Sequence, residues 1–171
     1  MVLGDLSLWK LLDDLIREPD PDLVNAASID VRVGAEMLLE VGPDELKAVD
    51  LTAGPVRLEP GAFALIPTLE RLMVPVGHAV ELMLKTPFAQ QGYHLSAPVW
   101  LDPGWCGTAT MPIRNATRCT PLPLERGMRL AQIVVHPLDQ PAVRPYRFHD
   151  QEAQAAARGT VLASARHGSR Q

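Results

Sequence analysis

The chain is poor in aromatic residues, with three Trp, two Tyr and three Phe in 171 positions. It is rich in punctuating residues, with 16 Pro and 12 Gly. That pairing argues against long packed helices and for many short elements joined by turns. Cysteine is also scarce. Cys106 and Cys119 alone cannot build a disulfide framework or a CxxC pair, and each is expected to be a buried or half-buried thiol. No apolar run approaches the ~18 residues of a membrane span, and the first residues carry no basic-then-apolar leader pattern. The expectation is therefore a cytoplasmic protein that does not engage a membrane. An excess of positive charge is missing too: 16 Lys and Arg stand against 20 Asp and Glu, for a net charge of −4. This excludes a general binder of nucleic-acid backbones but leaves room for a local basic pocket. No His, Cys and Asp cluster has metal-ligand spacing.

What remains is an ordinary globular composition, 47% hydrophobic and 21% charged, of a length that suits one domain. Leu8, Leu11, Leu12, Leu15 and Ile16 recur at helical spacing, with Asp5 or Ser7 as N-cap and Pro19 and Pro21 as the stop. Residues 28–34 alternate polar and apolar and read as a half-buried strand, with Asp30 and Arg32 on its polar side. From Val56 the pattern is strand and turn: a short strand at 63–66, strands at 79–84 and 108–113, and another at 128–135. Asp102-Pro103-Gly104 is a strong turn signal, and Pro112 places its strand at an edge or a bulge. A proline-rich connector follows His136, then an Ala- and Gln-rich helix at 150–158 and a polar tail. The spacing predicts a β-sandwich or barrel with a helix at each end.

Six motifs, in order, carry a resemblance. They are MVLGD at 1–5, NAASIDVRVG at 25–34, LEPGAFALIPTLE at 58–70, LDPGWCG at 101–107, RGMRLAQIVV at 126–135 and PAVRPY at 141–146 with the segment to Gly159. Together they resemble the dCTP deaminase family of the dCTP deaminase/dUTPase superfamily. The resemblance covers residues 1–159 and leaves 160–171 as a tail. It implies a mainly β fold, a distorted barrel or jelly roll of the dUTPase-like type with short N- and C-terminal helices. It also implies a homotrimer with nucleotide sites between subunits, and hydrolysis of a pyrimidine deoxynucleotide, dCTP to dUTP.

Deamination at C4 of cytosine needs a water, a group to shuttle its proton, and donors for three phosphates. The family uses a glutamate and no zinc, and the HxE…PCxxC signature of the zinc deaminases is missing here. The resemblance places that glutamate at Pro112, which can neither give nor take a proton. The phosphate segment corresponds to KTPFAQQG at 85–92, where Lys85 and Thr86 keep a charge and a hydroxyl and Gln90 replaces an arginine. An amide cannot match the charge-assisted fork of a guanidinium. The lysine and glutamine expected in the C-terminal lid fall on Ala153 and Ala157, while Tyr146 is kept. Asp102 stands where dUTPases orient the hydrolytic water, with a plain turn role as its alternative. Gln132 matches a glutamine near the nucleotide, or else satisfies backbone at a strand end. Asp30 and Arg32 are expected to hold the fold or an interface. His94 could replace a lost phosphate contact, although lone histidines are ordinarily surface residues. No tightly bound cofactor is expected; Mg2+ would come only with a triphosphate.

Three readings follow. The first is a dCTP deaminase-type hydrolase converting dCTP to dUTP, with dUTPase-like activity through Asp102. The second is an inactive, nucleotide- or protein-binding regulatory paralogue. The third is a hydrolase of a nucleotide with fewer phosphates.

Overall fold

The structure, a computed structural model, describes residues 1–43 and 45–146. It begins with helix α1 (Asp5–Leu15), followed by strand β1 (Ile16–Arg17) and a 3-10 turn at Pro21–Leu23. Then come β2 (Ile29–Val31), β3 (Glu36–Gly42), β4 (Glu45–Asp50), β5 (Val56–Leu58), β6 (Phe63–Met73) and β7 (His78–Leu84). Helix α2 (Thr86–Gln91) leads to β8 (Tyr93–Leu95), β9 (Val99–Leu101), β10 (Cys106–Asn115), β11 (Leu122–Leu124) and β12 (Ala131–Pro137). The expected mainly β class holds. The strands form separate sheets in a jelly-roll-like arrangement rather than a closed barrel. One sheet runs β4-β3-β6-β10-β8 with β1 added to β6, another runs β2-β12-β7-β9, and β5 pairs with β11. The C-terminal helix at 150–158, Ala153, Ala157 and the tail lie outside the described residues.

The core follows from strand alternation. Ala64, Ile66 and Leu72 of β6 and Ala109, Met111 and Ile113 of β10 point inward. They meet Val80 and Leu82 of β7 and Ile133 and Val135 of β12 in one cluster. Leu8, Leu12 and Leu15 dock α1 on it, and each fully buried leucine contributes about 2 kcal/mol.

The helix differs from expectation at both ends. Gly4 is its N-cap, Asp5 sits inside the first turn accepting from its neighbour Leu6 N, and no side chain caps it. It stops at Leu15, before the prolines, because Ile16 and Arg17 pair with Leu72 and Arg71 of β6. The segment expected as a half-buried strand is buried on both sides, with Ile29, Asp30 and Val31 all inaccessible. The strand expected at 63–66 runs on to Met73, through Pro67. The last strand starts at Ala131, not at 128, because Val33 N donates to Met128 O while Gly127 N donates to Val33 O, closing the turn against the segment that follows β2. Cys106 is half-buried as expected; Cys119 is exposed, in the turn between Thr117 and Thr120.

Strand β6 changes partners in its middle. Its register with β10 slips between Thr108 and Thr110. There Leu69 N donates to Arg32 O, and Glu70 accepts from Arg32 N and Nε, each at 2.7 Å. Thr68 Oγ1 accepts from Ala109 N at 3.0 Å and donates to Glu70 O at 2.8 Å. Two buried side chains thus replace the ladder partners that the slip removes.

Candidate functional site

Lys85 follows β7 and forms the N-cap of α2, its N–H donating to Leu130 O. The segment that the resemblance assigns to phosphate is a short helix, closed by Gly92 at φ 101°. Lys85 Nζ lies 2.5 Å from Asp30 Oδ2, and Asp30 also accepts from Asn25 Nδ2 at 3.0 Å. Asp30 is 3% exposed, so its charge is held where only a partner makes it tolerable. Arg32 serves a second pair, with Glu70 at 2.7 Å and Asp20 at 3.2 Å. Asp30 of β2 and Arg32 just beyond it are thus both paired within the chain, and Asp30 engages the cation expected to meet phosphate. Thr86 and Gln90 are exposed on α2. Gln132 faces Asp30 across β2 and β12, and its Oε1 accepts from Ser28 Oγ at 3.0 Å. Lys85, Thr86, Gln90 and Gln132 are thereby gathered at one end of the four-stranded sheet.

Asp102 is at the other end. Its backbone carbonyl accepts from Trp105 N at 3.0 Å, closing the β9–β10 turn, while its side chain is exposed and accepts from Trp100 Nε1 at 3.2 Å. The turn is thus closed by backbone, leaving the carboxylate to face outward. Tyr146 is half-buried beside it, its N–H donating to Pro103 O at 2.7 Å. Leu101 pairs with Val80 of β7, and Lys85 follows Leu84. At 3.3 Å per residue the two groups are separated by about 20 Å within one chain.

Pro112 sits on the partly exposed row of β10 with Thr108, Thr110 and Arg114, opposite Leu65 of β6. Its carbonyl accepts from Ser96 N at 2.9 Å, and its missing N–H faces the same side, where the β8 pairing ends at Leu95. Of the edge or bulge expected for Pro112, the register shift lies elsewhere, at Thr108/Thr110, while Pro112 stands where the β8 pairing stops and that side of β10 becomes an edge. Arg114 packs over the Phe63 ring at 5.8 Å. His94 is exposed on β8, opposite Arg114.

Sequence reasoning did not join the residues that surround Asp102. Trp100 lies against His136, with ring centroids 5.6 Å apart, and His136 Nε2 is 3.5 Å from Glu81 Oε2. The only sequence signal was an apolar aromatic two residues before the turn, on the same strand face as Asp102. Tyr93 was also unremarked: its hydroxyl donates to Pro123 O, and burial, with Glu125 nearby, pushes its pKa up to about 12. A shallow cavity lined by Leu51, Thr52, Pro55, Glu125 and Arg126 holds none of the expected site residues. Among the described residues no group of three or more His, Cys, Asp or Glu is placed to hold a metal, so they offer no ligand set for a resident ion. None of their helices is long and apolar enough to cross a membrane.

The described strands form a jelly-roll-like sheet assembly with an Asp-Pro-Gly hairpin between β9 and β10 and a polar segment after β7. The chain belongs to the dCTP deaminase-like family, whose model matches residues 2–138. It is 35% identical over 159 residues to a dCTP deaminase of Thermococcus gammatolerans, covering 92% of this chain and 95% of that one. It is 29% identical over 184 aligned positions to a dUMP-forming dCTP deaminase of Dictyoglomus thermophilum, covering 92% and 94%. The solved 2'-deoxycytidine 5'-triphosphate deaminase of Agrobacterium tumefaciens superposes with a TM-score of 0.67 at 23% identity. That match covers 80% of this chain and 47% of the other, so this chain spans about half its length. A dUTPase from Staphylococcus aureus phage phi11, reported with a structural Mg(II) ion, superposes at 0.50 with 17% identity, over 77% of this chain and 90% of that one. These two likenesses concern the fold.

Proposed function

We propose that the chain binds a pyrimidine deoxynucleotide at sites shared between copies in a homotrimer, and that glutamate-driven conversion of dCTP to dUTP has been lost. Pro112 carries this reading. It occupies the partly exposed row of β10 where the family resemblance places the general acid/base, and the threonines and the arginine beside it on that row cannot shuttle a proton at neutral pH. Thr108 and Thr110 ionise far too high, and Arg114 stays charged. Loss of a positioned acid/base costs about 10²–10⁴ in rate. The phosphate end points the same way. Its cation is engaged by Asp30, and Gln90 supplies an amide where the family has a guanidinium. The surviving donors suit a nucleotide with fewer phosphates, and any Mg2+ comes with the nucleotide.

The roughly 20 Å between Asp102 and Lys85 within one chain supports a site completed by a second copy. A specific observation also favours a second reading, hydrolysis of the phosphate chain. Asp102 is exposed, and Trp100 fixes one of its oxygens, a suitable posture for orienting a water.

The test is incubation with dCTP and dUTP, with product analysis, alongside calorimetric titration of each nucleotide. The wild type is expected to bind without forming dUTP from dCTP. Pro112→Glu is expected to raise deamination on the order of 10²-fold. Turnover of dCTP to dUTP by the wild type at an ordinary enzymatic rate would sink the proposal.

A further inference from the structure

Trp100 stands on β9, the edge strand of the four-stranded sheet, and is 54% exposed. An exposed indole on an edge ordinarily samples several rotamers, but this one is held at its back and at its polar edge. The indole N–H donates to Asp102 Oδ1 at 3.2 Å. The ring rests on the His136 imidazole from β12, with centroids 5.6 Å apart and planes 30° from parallel. Glu81 of β7 lies between them in the sheet, cross-strand from Trp100 on one side and Val134 on the other, and its carboxylate approaches His136 at 3.5 Å. His136 Nε2 is buried without a partner of hydrogen-bond geometry, so the imidazole serves as a backing plate rather than a free donor. The result is a large ring with its back covered, its polar edge tied down, and its remaining surface open to solvent beside the Asp102 carboxylate. Ordering a ligand against a surface whose rotamer is already fixed costs less than ordering both.

We propose that the open face of Trp100 is the stacking surface for the pyrimidine base of the nucleotide that binds at Asp102. This inference rests on the nucleotide-binding role proposed above and adds a residue to it. Stacking uses the π-face that every base has, so Trp100 supplies affinity and not discrimination between cytosine and uracil. Trp100→Ala then weakens dCTP and dUTP binding alike, by about 5- to 100-fold, and leaves inorganic tripolyphosphate binding within about twofold. Trp100→Phe keeps a ring without the N–H and recovers most of the affinity. His136→Ala removes the backing and weakens both nucleotides by a smaller factor.

The experiment is calorimetric titration of the full chain and these variants with dCTP, dUTP and inorganic tripolyphosphate, with circular dichroism and solution mass recorded for each. A second measurement does not depend on a destabilising variant. In Trp9→Phe the principal exposed indole among the described residues is Trp100, because Trp105 is buried. Saturating dCTP is then expected to protect tryptophan emission from acrylamide quenching. Wild-type binding with unchanged affinity in Trp100→Ala, or no protection at saturation, overturns the stacking role alone. A loss for one base only, or an equal loss for tripolyphosphate, also overturns it. No nucleotide binding by the wild type overturns it together with the nucleotide-binding reading.

Discussion

At the scale of single residues, the most consequential contact is between Asp30 and Lys85. In isolation Lys85 looks like a phosphate ligand and Asp30 like one polar position on an alternating strand. The fold places the carboxylate at 3% exposure and the ammonium 2.5 Å away. A phosphate reaching Lys85 must compete with a charge already paired in low dielectric. Asp30→Asn is therefore expected to act in opposite directions on two measurements. Urea unfolding should show a loss of about 1–3 kcal/mol, while calorimetry should show several-fold tighter binding of a nucleoside triphosphate. Tighter binding without loss of stability, or the reverse alone, would mean that the pair does not set both.

Tyr93 gives a second residue-scale expectation. Its hydroxyl is buried and donates to Pro123 O, and its pKa rises from the ordinary 10.0 to about 12. Below pH 10.0 the phenol is protonated in the folded and unfolded chains alike, and its stabilising contribution is complete. Between pH 10.0 and about 12 the unfolded chain releases the proton first, so stability falls as pH rises through this window. Tyr93→Phe should be less stable at neutral pH and flatter across it, as read by denaturant melts at a series of alkaline pH values.

At the scale of elements, the β9–β10 hairpin ties the candidate site to the end of the described chain. Gly104 adopts φ +87°, and a Cβ there would come within 2.9 Å of Pro145 Cβ and 3.0 Å of Tyr146 O. Gly104→Ala thus meets both backbone strain and a clash with the segment lying on the hairpin. The expected result is a loss of about 1–2 kcal/mol, with faster proteolytic cleavage near Tyr146; unchanged cleavage would show that the segment is not held there. Element boundaries were the least legible part of the sequence. Hydrophobic spacing located α1 and the strands β2, β6, β7, β10 and β12, but left β1, β3, β4, β5, β8, β9 and β11 unread, and Ile16 has the same character as the helical leucines before it. Only pairing with Leu72 turned it into strand. The length of β6 was hidden for a related reason. The strand was expected to end at Ile66, before Pro67, yet it runs through that proline, and Thr68 satisfies the slipped ladder with its hydroxyl.

At the scale of the whole molecule, the candidate residues fall into two groups at opposite ends of one sheet, with Pro112 on another. A single copy does not bring them together; a symmetric assembly can. Light scattering is expected to give three times the chain mass. A monomer at micromolar concentration would remove the shared-site arrangement and leave Asp102 and Trp100 to act without Lys85.

The sequence by itself determined the class of fold and the family, because motif order and turn chemistry are local properties that survive without knowing what packs on what. It also set Pro112 and Ala153 where the family resemblance expects a glutamate and a lysine, and a proline or an alanine lacks a proton or a charge wherever it is placed. Only the tertiary structure decided what the remaining polar residues are engaged in. Whether Lys85 is free or neutralised, and whether Trp100 is loose or held against His136 and Asp102, depends on residues tens of positions away. Burial and partner distance, which set the worth of a charge or a ring, exist only once those strands have met.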